Sequence, residues 1–199
     1  MDIYKHTNSI ATSITYILFI SDSDSAWLID CGDVDTVITW AEKNKKIISG
    51  VFLTHTHFDH IYGLNGLKKA FPECKVYTSM EGIKGLYNPK LNMSFYFSAL
   101  YHDTVGTFVF EYENVYQLRE SDVVELGQNI NMEVFETPGH DNSCLTYKID
   151  NYLFTGDSYI PGIRIIANFP KSNKKDAEES LKKILDLEKK YDLIINAGH

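Results

Sequence analysis

The most constraining feature of the sequence is the segment Thr54-His55-Thr56-His57-Phe58-Asp59-His60, which directly follows an apolar stretch at residues 47–53. Three histidines and one aspartate at these offsets would occur by chance only about 6 × 10⁻⁴ times in a chain of this composition. The apolar stretch predicts a buried strand, and the polar segment predicts a turn at the end of that strand. The segment therefore places several metal-binding side chains at one edge of a sheet.

The spacing within the segment indicates which side chains can act together. His55 and His57 are two residues apart, so in a continued strand conformation their rings lie on one face and can bind one ion. Asp59 and His60 lie just beyond, where the chain turns, and can reach a second ion nearby. Imidazole and carboxylate groups suit zinc, and less often iron or manganese.

Three further segments place a histidine or an aspartate in a tight turn after a predicted strand. These are Thr137-Pro138-Gly139-His140, Phe154-Thr155-Gly156-Asp157 and Ala197-Gly198-His199. Loops at strand ends commonly carry functional residues because a rigid scaffold positions them. We therefore add His140, Asp157 and His199 to the candidate site.

The hydrophobic pattern predicts an α+β chain organised as one domain over residues 1–199. Asp33 is predicted to cap a helix with apolar residues at helical spacing, and two more helices are predicted at residues 61–70 and 174–190. Predicted strands lie at residues 13–20, 26–31, 47–53, 75–78, 131–136, 144–149, 152–154 and 193–196. This order suggests two sheets packed between outer helices, with each half of the chain contributing one sheet.

Composition limits the classes of partner. The 199 residues carry a net charge of −8, which repels phosphate backbones and disfavours nucleic acid as a partner. No apolar run approaches the length of a membrane span, so no membrane partner is expected. The three cysteines form no CxxC pair and suit a reducing compartment. The first residues lack the pattern of a secretory signal, and we expect a cytoplasmic protein.

Together, the four segments HTHFDH, TPGH, FTGD and AGH closely resemble the metallo-β-lactamase fold superfamily, in which they occur in this order. Residues 28–32, Leu-Ile-Asp-Cys-Gly, resemble the strand of the family that ends in an Asp-x-Gly turn. The resemblance covers nearly the whole chain. It implies a four-layered αββα sandwich with the metals at one edge of the two sheets.

The resemblance also implies a ligand set and a mechanism. One ion would be bound by His55, His57 and His140, and a second ion would be bound by Asp59, His60 and His199. Asp157 and a hydroxide would bridge the two ions. Two Zn²⁺ ions per chain are implied, with iron or manganese as alternatives. The metal-bound hydroxide would attack a carbonyl carbon, with Asp59 and Asp157 as the catalytic carboxylates. Asp30 is expected to hold a histidine or a neighbouring loop rather than to bind metal.

Within the family, Asp157 and residues 88–94 resemble hydroxyacylglutathione hydrolase (glyoxalase II)-like members. That branch carries a further C-terminal helical segment that binds glutathione; because the sequence ends at His199, we expect no such segment here. The resemblance implies a hydrolase of a small ester, thioester or lactone. Two alternatives stay open: a mononuclear iron oxidoreductase resembling the persulfide dioxygenases, and a non-catalytic metal-binding sensor.

The region 87–110 is irregular and unusually aromatic. An irregular stretch of this length in a compact domain is commonly functional. We expect Tyr96, Tyr101 and His102 in this region, together with Tyr159, to contact a small-molecule substrate. Plain packing is the competing interpretation. The oligomeric state is left open.

Overall fold

The strands form two sheets, and each sheet comes from one half of the chain. A computed structural model describes residues 1–101 and 106–199. The first sheet contains β1 (Asp2–Thr7), β2 (Ile14–Phe19), β3 (Ser25–Ile29), β4 (Ile47–Phe52), β5 (Lys75–Thr78) and β6 (Val115–Gln117), in that spatial order. The second contains β7 (Val123–Gly127), β8 (Ile130–Glu136), β9 (Leu145–Ile149), β10 (Tyr152–Gly156) and β11 (Ile194–Ala197), also in spatial order. The helices are α1 (Val34–Asn44), α2 (Phe58–Ile61), α3 (Leu64–Ala70), α4 (Met80–Leu86), α5 (Ser94–Phe97) and α6 (Lys174–Tyr191).

The sheets are packed face to face between helices, which confirms the predicted α+β, αββα architecture. In β2, Ile17 belongs to a buried cluster with residues of α1 and α3. Its neighbours Tyr16 and Leu18 belong to a second cluster that includes residues of the other sheet. On the outer side of the second sheet, Ile184 of α6 packs against Leu153. Because β2 is buried on both faces, its sequence is mostly apolar rather than alternating, and the buried Thr15 hydroxyl accepts a hydrogen bond from Asn8.

The strand directions bring several chain turns to common edges. In the first sheet β3, β4, β5 and β6 are parallel neighbours, and in the second β10 and β11 are parallel. Parallel strands end at the same edge of a sheet. The residues after β3 and β4 therefore lie side by side, as do the residues after β10 and β11. In open sheets of this kind, ligands commonly bind at the carboxyl ends of the strands.

Some local predictions differ from the structure. The helix predicted at residues 61–70 is shorter in the structure: α2 ends at Ile61, and α3 begins at Leu64 and ends at Ala70. Asp33 precedes α1 but its carboxylate does not cap the helix; it accepts hydrogen bonds from Ser9 instead. The strands β1, β6 and β7 lie outside the predicted strands; β1 is largely polar and β6 has only three residues. None of the helices in the described part of the chain is long and apolar enough to cross a membrane.

Candidate metal centre

The segment after β4 positions four of the candidate residues. The chain leaves β4 at Phe52, so the strand does not continue to His55 as the spacing argument assumed. His55 and His57 lie in an extended loop, and Asp59 and His60 lie in the short helix α2. Backbone hydrogen bonds fix the turn, because Leu53 N–H donates to Tyr77 and Phe58 N–H donates to Asn92. Every residue from 54 to 60 is buried, so packing restricts the movement of these side chains.

Two groups of three side chains that share no residue form at this edge, and a third group, His55, His60 and Asp157, overlaps both. Potential ligand atoms of His55, His57 and His140 lie within 4.8 Å of one another, as do those of Asp59, His60 and His199. In the first group His57 Nδ1 lies 3.0 Å from His140 Nε2. In the second, the Nε2 atoms of His60 and His199 lie 3.3 Å apart.

Asp157 lies between the two groups and contacts both. Its Oδ1 is 3.4 Å from His60 Nε2, and its Oδ2 is 3.5 Å from His140 Nε2 and 3.4 Å from His199 Nε2. It follows directly after β10, and His199 follows soon after the parallel strand β11. Gly198 permits this approach, since a Cβ there would lie 2.2 Å from Asp157 Oδ1. One carboxylate thus links both groups of histidines.

The donor set fits two metal ions. Two imidazole nitrogens at about 2.05 Å from a tetrahedral ion lie about 3.3 Å apart, which is close to the 3.0 and 3.3 Å separations found here. His55 Nε2 and Asp157 Oδ1 are buried and have no hydrogen-bond partner among the described residues. Buried polar atoms are normally paired, so a cation at this position would complete their coordination.

The outer nitrogens of four histidines are held by fixed acceptors. His60 Nδ1–H donates to Asp30 Oδ2 at 2.9 Å, and His140 Nδ1–H donates to the Ile166 carbonyl at 2.8 Å. His199 Nδ1 lies 3.0 Å from the Ala11 carbonyl, and His55 Nδ1 lies 3.2 Å from Thr54 Oγ1. Such contacts fix the ring and its tautomer, which leaves Nε2 of these four rings available for a metal ion. Asp30 therefore holds a histidine, as the sequence predicted.

The electrostatics divide the site into neutral and charged groups. Burial lowers the pKa of His140 to about 4 and that of His55 well below its usual value. Burial also opposes a charge on His60, but Asp59, Asp157 and Asp30 raise its pKa to about 10. Burial would raise the pKa of Asp157, but His60 and the neighbouring histidines hold it well below its usual value. The carboxylates thus favour positive charge at the centre, while two rings are held neutral as metal ligands require.

The three described tyrosines that are predicted to contact the substrate have different surroundings. Tyr101 packs against Phe58, with ring centroids 5.5 Å apart, and Phe58 lies between His57 and Asp59. Tyr96 is 53% exposed and contacts Phe95. Tyr159 lines a cavity of about 500 Å³ between residues 163–168 and α6. His102 lies outside the described residues.

Sequence reasoning missed three residues near the centre: Asp141, Phe169 and Lys171. The ring of Phe169 packs edge-on against His57 and His140, at centroid distances of 5.3 and 5.6 Å. Asp141 Oδ2 lies 3.7 Å from His57 Nε2. Its position directly after His140 was a usable signal for Asp141. Phe169 and Lys171 lie in the irregular segment before α6, where no spacing rule applies.

Two relatives of this chain are named as hydrolases. Hydroxyacylglutathione hydrolase of Hydrogenovibrio crunogenus is 26% identical over 157 residues, covering 77% of this chain and 48% of that protein. A probable metallo-hydrolase of Streptococcus pyogenes is 28% identical over 179 residues, covering 88% of this chain and 74% of that protein. The chain thus spans about half the length of the Hydrogenovibrio protein.

The fold is also found in solved structures. The B3 metallo-beta-lactamase BLEG-1 superposes with a TM-score of 0.87 at 25% identity, over 100% of this chain and 91% of that chain. ETHE1 from Myxococcus xanthus superposes with a TM-score of 0.75 at 22% identity, over 100% of this chain and 76% of that chain. A family model for the metallo-beta-lactamase superfamily matches residues 11–199. The chain belongs to the metallo-beta-lactamase superfamily.

Proposed function

We propose that this chain is a dinuclear metal-dependent hydrolase that cleaves a small ester, thioester or lactone. The observation that carries the proposal is the position of Asp157, whose two carboxylate oxygens contact histidines of both groups. A carboxylate so placed could contribute a ligand to each ion of a dinuclear site. Similarity to hydroxyacylglutathione hydrolases supports the reaction class.

In this proposal the chain's own residues hold the ions, and burial keeps two of the histidine ligands unprotonated. The first ion would be bound by His55, His57 and His140. The second would be bound by Asp59, His60 and His199. Asp157 would bind both ions. When bound, the ions would act as Lewis acids and lower the pKa of a water molecule toward about 7. Neutral His55 and His140 suit this role, because their burial disfavours the protonated rings that would repel a cation. Zinc is the proposed metal, since imidazole and carboxylate ligands suit it.

We propose that the body of the substrate lies beside the segment at residues 160–168. Two neighbouring spaces share the same lining residues, Ile163, Arg164, Ile165 and Ile166. One is the cavity of about 500 Å³, and the other is a small crevice that is also lined by His140 and Asp157. Tyr159 lines the same cavity. Tyr101 and the exposed Tyr96 remain proposed aromatic contacts, and His102, which lies outside the described residues, remains a proposed polar contact. This mostly apolar lining suits an acyl or alkyl group.

A cytoplasmic location is part of the proposal. The three cysteines Cys31, Cys74 and Cys144 are free and buried, as is usual in reducing compartments.

The test combines metal counting with a substrate panel. Metal-free protein is reconstituted with Zn²⁺, Fe²⁺ or Mn²⁺, the bound ions are counted, and thioesters, esters, lactones, phosphodiesters and β-lactams are assayed. We expect two ions per chain and turnover of a thioester, ester or lactone. His57→Ala should abolish turnover, whereas His6→Ala, outside the centre, should not.

Other outcomes would replace the proposal. One iron ion per chain with thiol-dependent oxygen uptake would indicate an oxidoreductase. Two bound ions with no turnover of any substrate would favour a metal-binding sensor.

A further inference from the structure

His57 is oriented differently from the other four histidines of the centre. In His55, His60, His140 and His199 the outer atom is Nδ1, and each is within 3.2 Å of an acceptor. In His57, Nδ1 points inward, 3.0 Å from His140 Nε2. Its outer atom is therefore Nε2. This atom is buried and makes no hydrogen bond within residues 1–101 and 106–199.

A neutral imidazole carries one N–H, so the orientation of His57 sets a requirement on its tautomer. For Nδ1 to bind an ion, the proton must be on Nε2. The other four rings have the opposite arrangement. An acceptor beside Nε2 of His57 would select the required tautomer, and a donor there would select the wrong one.

The side chain beside Nε2 is the carboxylate of Asp141. It is 2% exposed, and its Oδ2 lies 3.7 Å from His57 Nε2. Its other oxygen, Oδ1, accepts hydrogen bonds from Ser143 N–H at 2.8 Å and from Ser143 Oγ at 2.5 Å. Oδ2 is thus the oxygen that faces the ring. A shift of about 0.8 Å would bring it to an ordinary hydrogen-bond distance of about 2.9 Å.

Lys171 supplies a nearby positive charge. Its Nζ lies 3.9 Å from Asp141 Oδ1, and it is buried with no hydrogen-bond partner in the described chain. The backbone beside Lys171 is fixed, because Ser172 Oγ donates to the His140 carbonyl and Asn173 N–H donates to the Gly139 carbonyl. The ammonium group can therefore offset the charge of a buried carboxylate.

We propose that Asp141 is the positioning residue of His57: its carboxylate accepts the Nε2–H, fixes Nδ1 as the metal-binding atom, and is balanced by Lys171. The inference rests on the proposed metal centre. It assigns a role to a residue that binds no metal itself. Carboxylates in this position commonly change metal affinity by about 10- to 100-fold.

The competing interpretation is that Asp141 only shapes its own turn. The hydrogen bond from Ser143 N–H closes a local turn of the kind that aspartate often makes. Asp141→Asn separates the two roles. Its amide oxygen can keep the bond to Ser143, while its NH₂ group would face Nε2 as a donor and oppose the required tautomer.

The experiment measures metal affinity by titrating metal-free protein with Zn²⁺ against a coloured chelator. We expect Asp141→Asn to keep the thermal stability of the metal-free protein and to lose about 10- to 100-fold in affinity for one of two ions. Lys171→Met should show a smaller loss in the same direction. The matched control is Asp150→Asn, which removes the same charge from the exposed turn between β9 and β10.

A second readout uses the unsubstituted protein. In ¹⁵N spectra of the Zn²⁺-loaded protein, His57 should be protonated at Nε2, whereas the other four rings should be protonated at Nδ1. Normal Zn²⁺ affinity in Asp141→Asn, or a His57 ring protonated at Nδ1, would overturn the inference while leaving the proposed function intact. Failure of the unsubstituted chain to bind two ions would instead overturn the proposed function and this inference with it.

Discussion

The carboxylate of Asp30 accepts a hydrogen bond from His60 Nδ1 at 2.9 Å, and both side chains are almost completely buried. Asp30 also accepts hydrogen bonds from the backbone N–H and the hydroxyl of Thr54, each at 2.7 Å. The end of β3 is thereby tied to the loop after β4. The same carboxylate supports a candidate metal ligand and the backbone that leads to it.

Asp30→Ala should therefore destabilise the protein even without metal. Removing one partner of a buried charged network typically costs about 3–5 kcal/mol of unfolding free energy. We expect a loss of this size in urea unfolding of the chelator-treated protein. Asp22→Ala, in the exposed turn between β2 and β3, is the control and should change stability by less than about 0.5 kcal/mol. Equal unfolding midpoints for wild type and Asp30→Ala would contradict the role assigned to this carboxylate.

The convergence of the candidate ligands was predictable because their positions follow from strand ends. His55, Asp157 and His199 each follow a strand whose apolar sequence is clear, and parallel pairing brings those ends to common edges. The contacts of Asp33 were not predictable in this way. Helical spacing indicates a cap, but its carboxylate binds Ser9, which is 24 residues earlier in the chain.

The segment between β10 and α6 shows a second limit of sequence reasoning. It has no hydrophobic period, so nothing local indicates that Phe169 packs against His57 or that Lys171 lies near Asp141. Those contacts depend on how two separate loops meet. For the same reason, the spacing of Tyr96 and Tyr101 in the sequence does not show which residues their side chains contact.

The cysteines should be unreactive in the folded protein. All three are at most 3% exposed, and burial raises the pKa of the Cys74 thiol to about 12 and those of Cys31 and Cys144 above their usual range. Since the thiolate is the reactive form, a disulfide reagent at pH 8 should label almost none within minutes. After unfolding in guanidinium, three thiols should be labelled. Rapid labelling of the native protein would show that a cysteine is accessible.

The second metal site should be the weaker one. The side chain of His199 is 22% exposed, whereas those of His57 and His140 are 8% and 4% exposed. Greater exposure lets water and a chelator reach the ligand, so the ion near His199 should be removed first. His199→Ala should keep about one ion, measured by elemental analysis after dialysis against a weak chelator. His6→Ala is the control and should keep two. Two ions in His199→Ala would mean that another residue completes the site.

The aromatic region gives the last prediction, because its two tyrosines differ in contacts. Tyr101 packs against Phe58, next to the candidate ligands, whereas Tyr96 is half-exposed and contacts Phe95. Aromatic contacts contribute about 0.5–1.5 kcal/mol beyond burial, so Tyr101→Ala should raise KM about 3- to 10-fold for the best substrate of the panel. Tyr96→Ala should raise KM as well but by less, because Tyr96 is half-exposed. The control is Tyr4→Ala, in β1 and outside the region 87–110, which should change KM by less than about twofold. Bound metal should equal that of wild type in all three variants, which separates a lost substrate contact from damage to the centre. If KM and substrate preference are unchanged in both Tyr101→Ala and Tyr96→Ala, the region 87–110 serves packing alone.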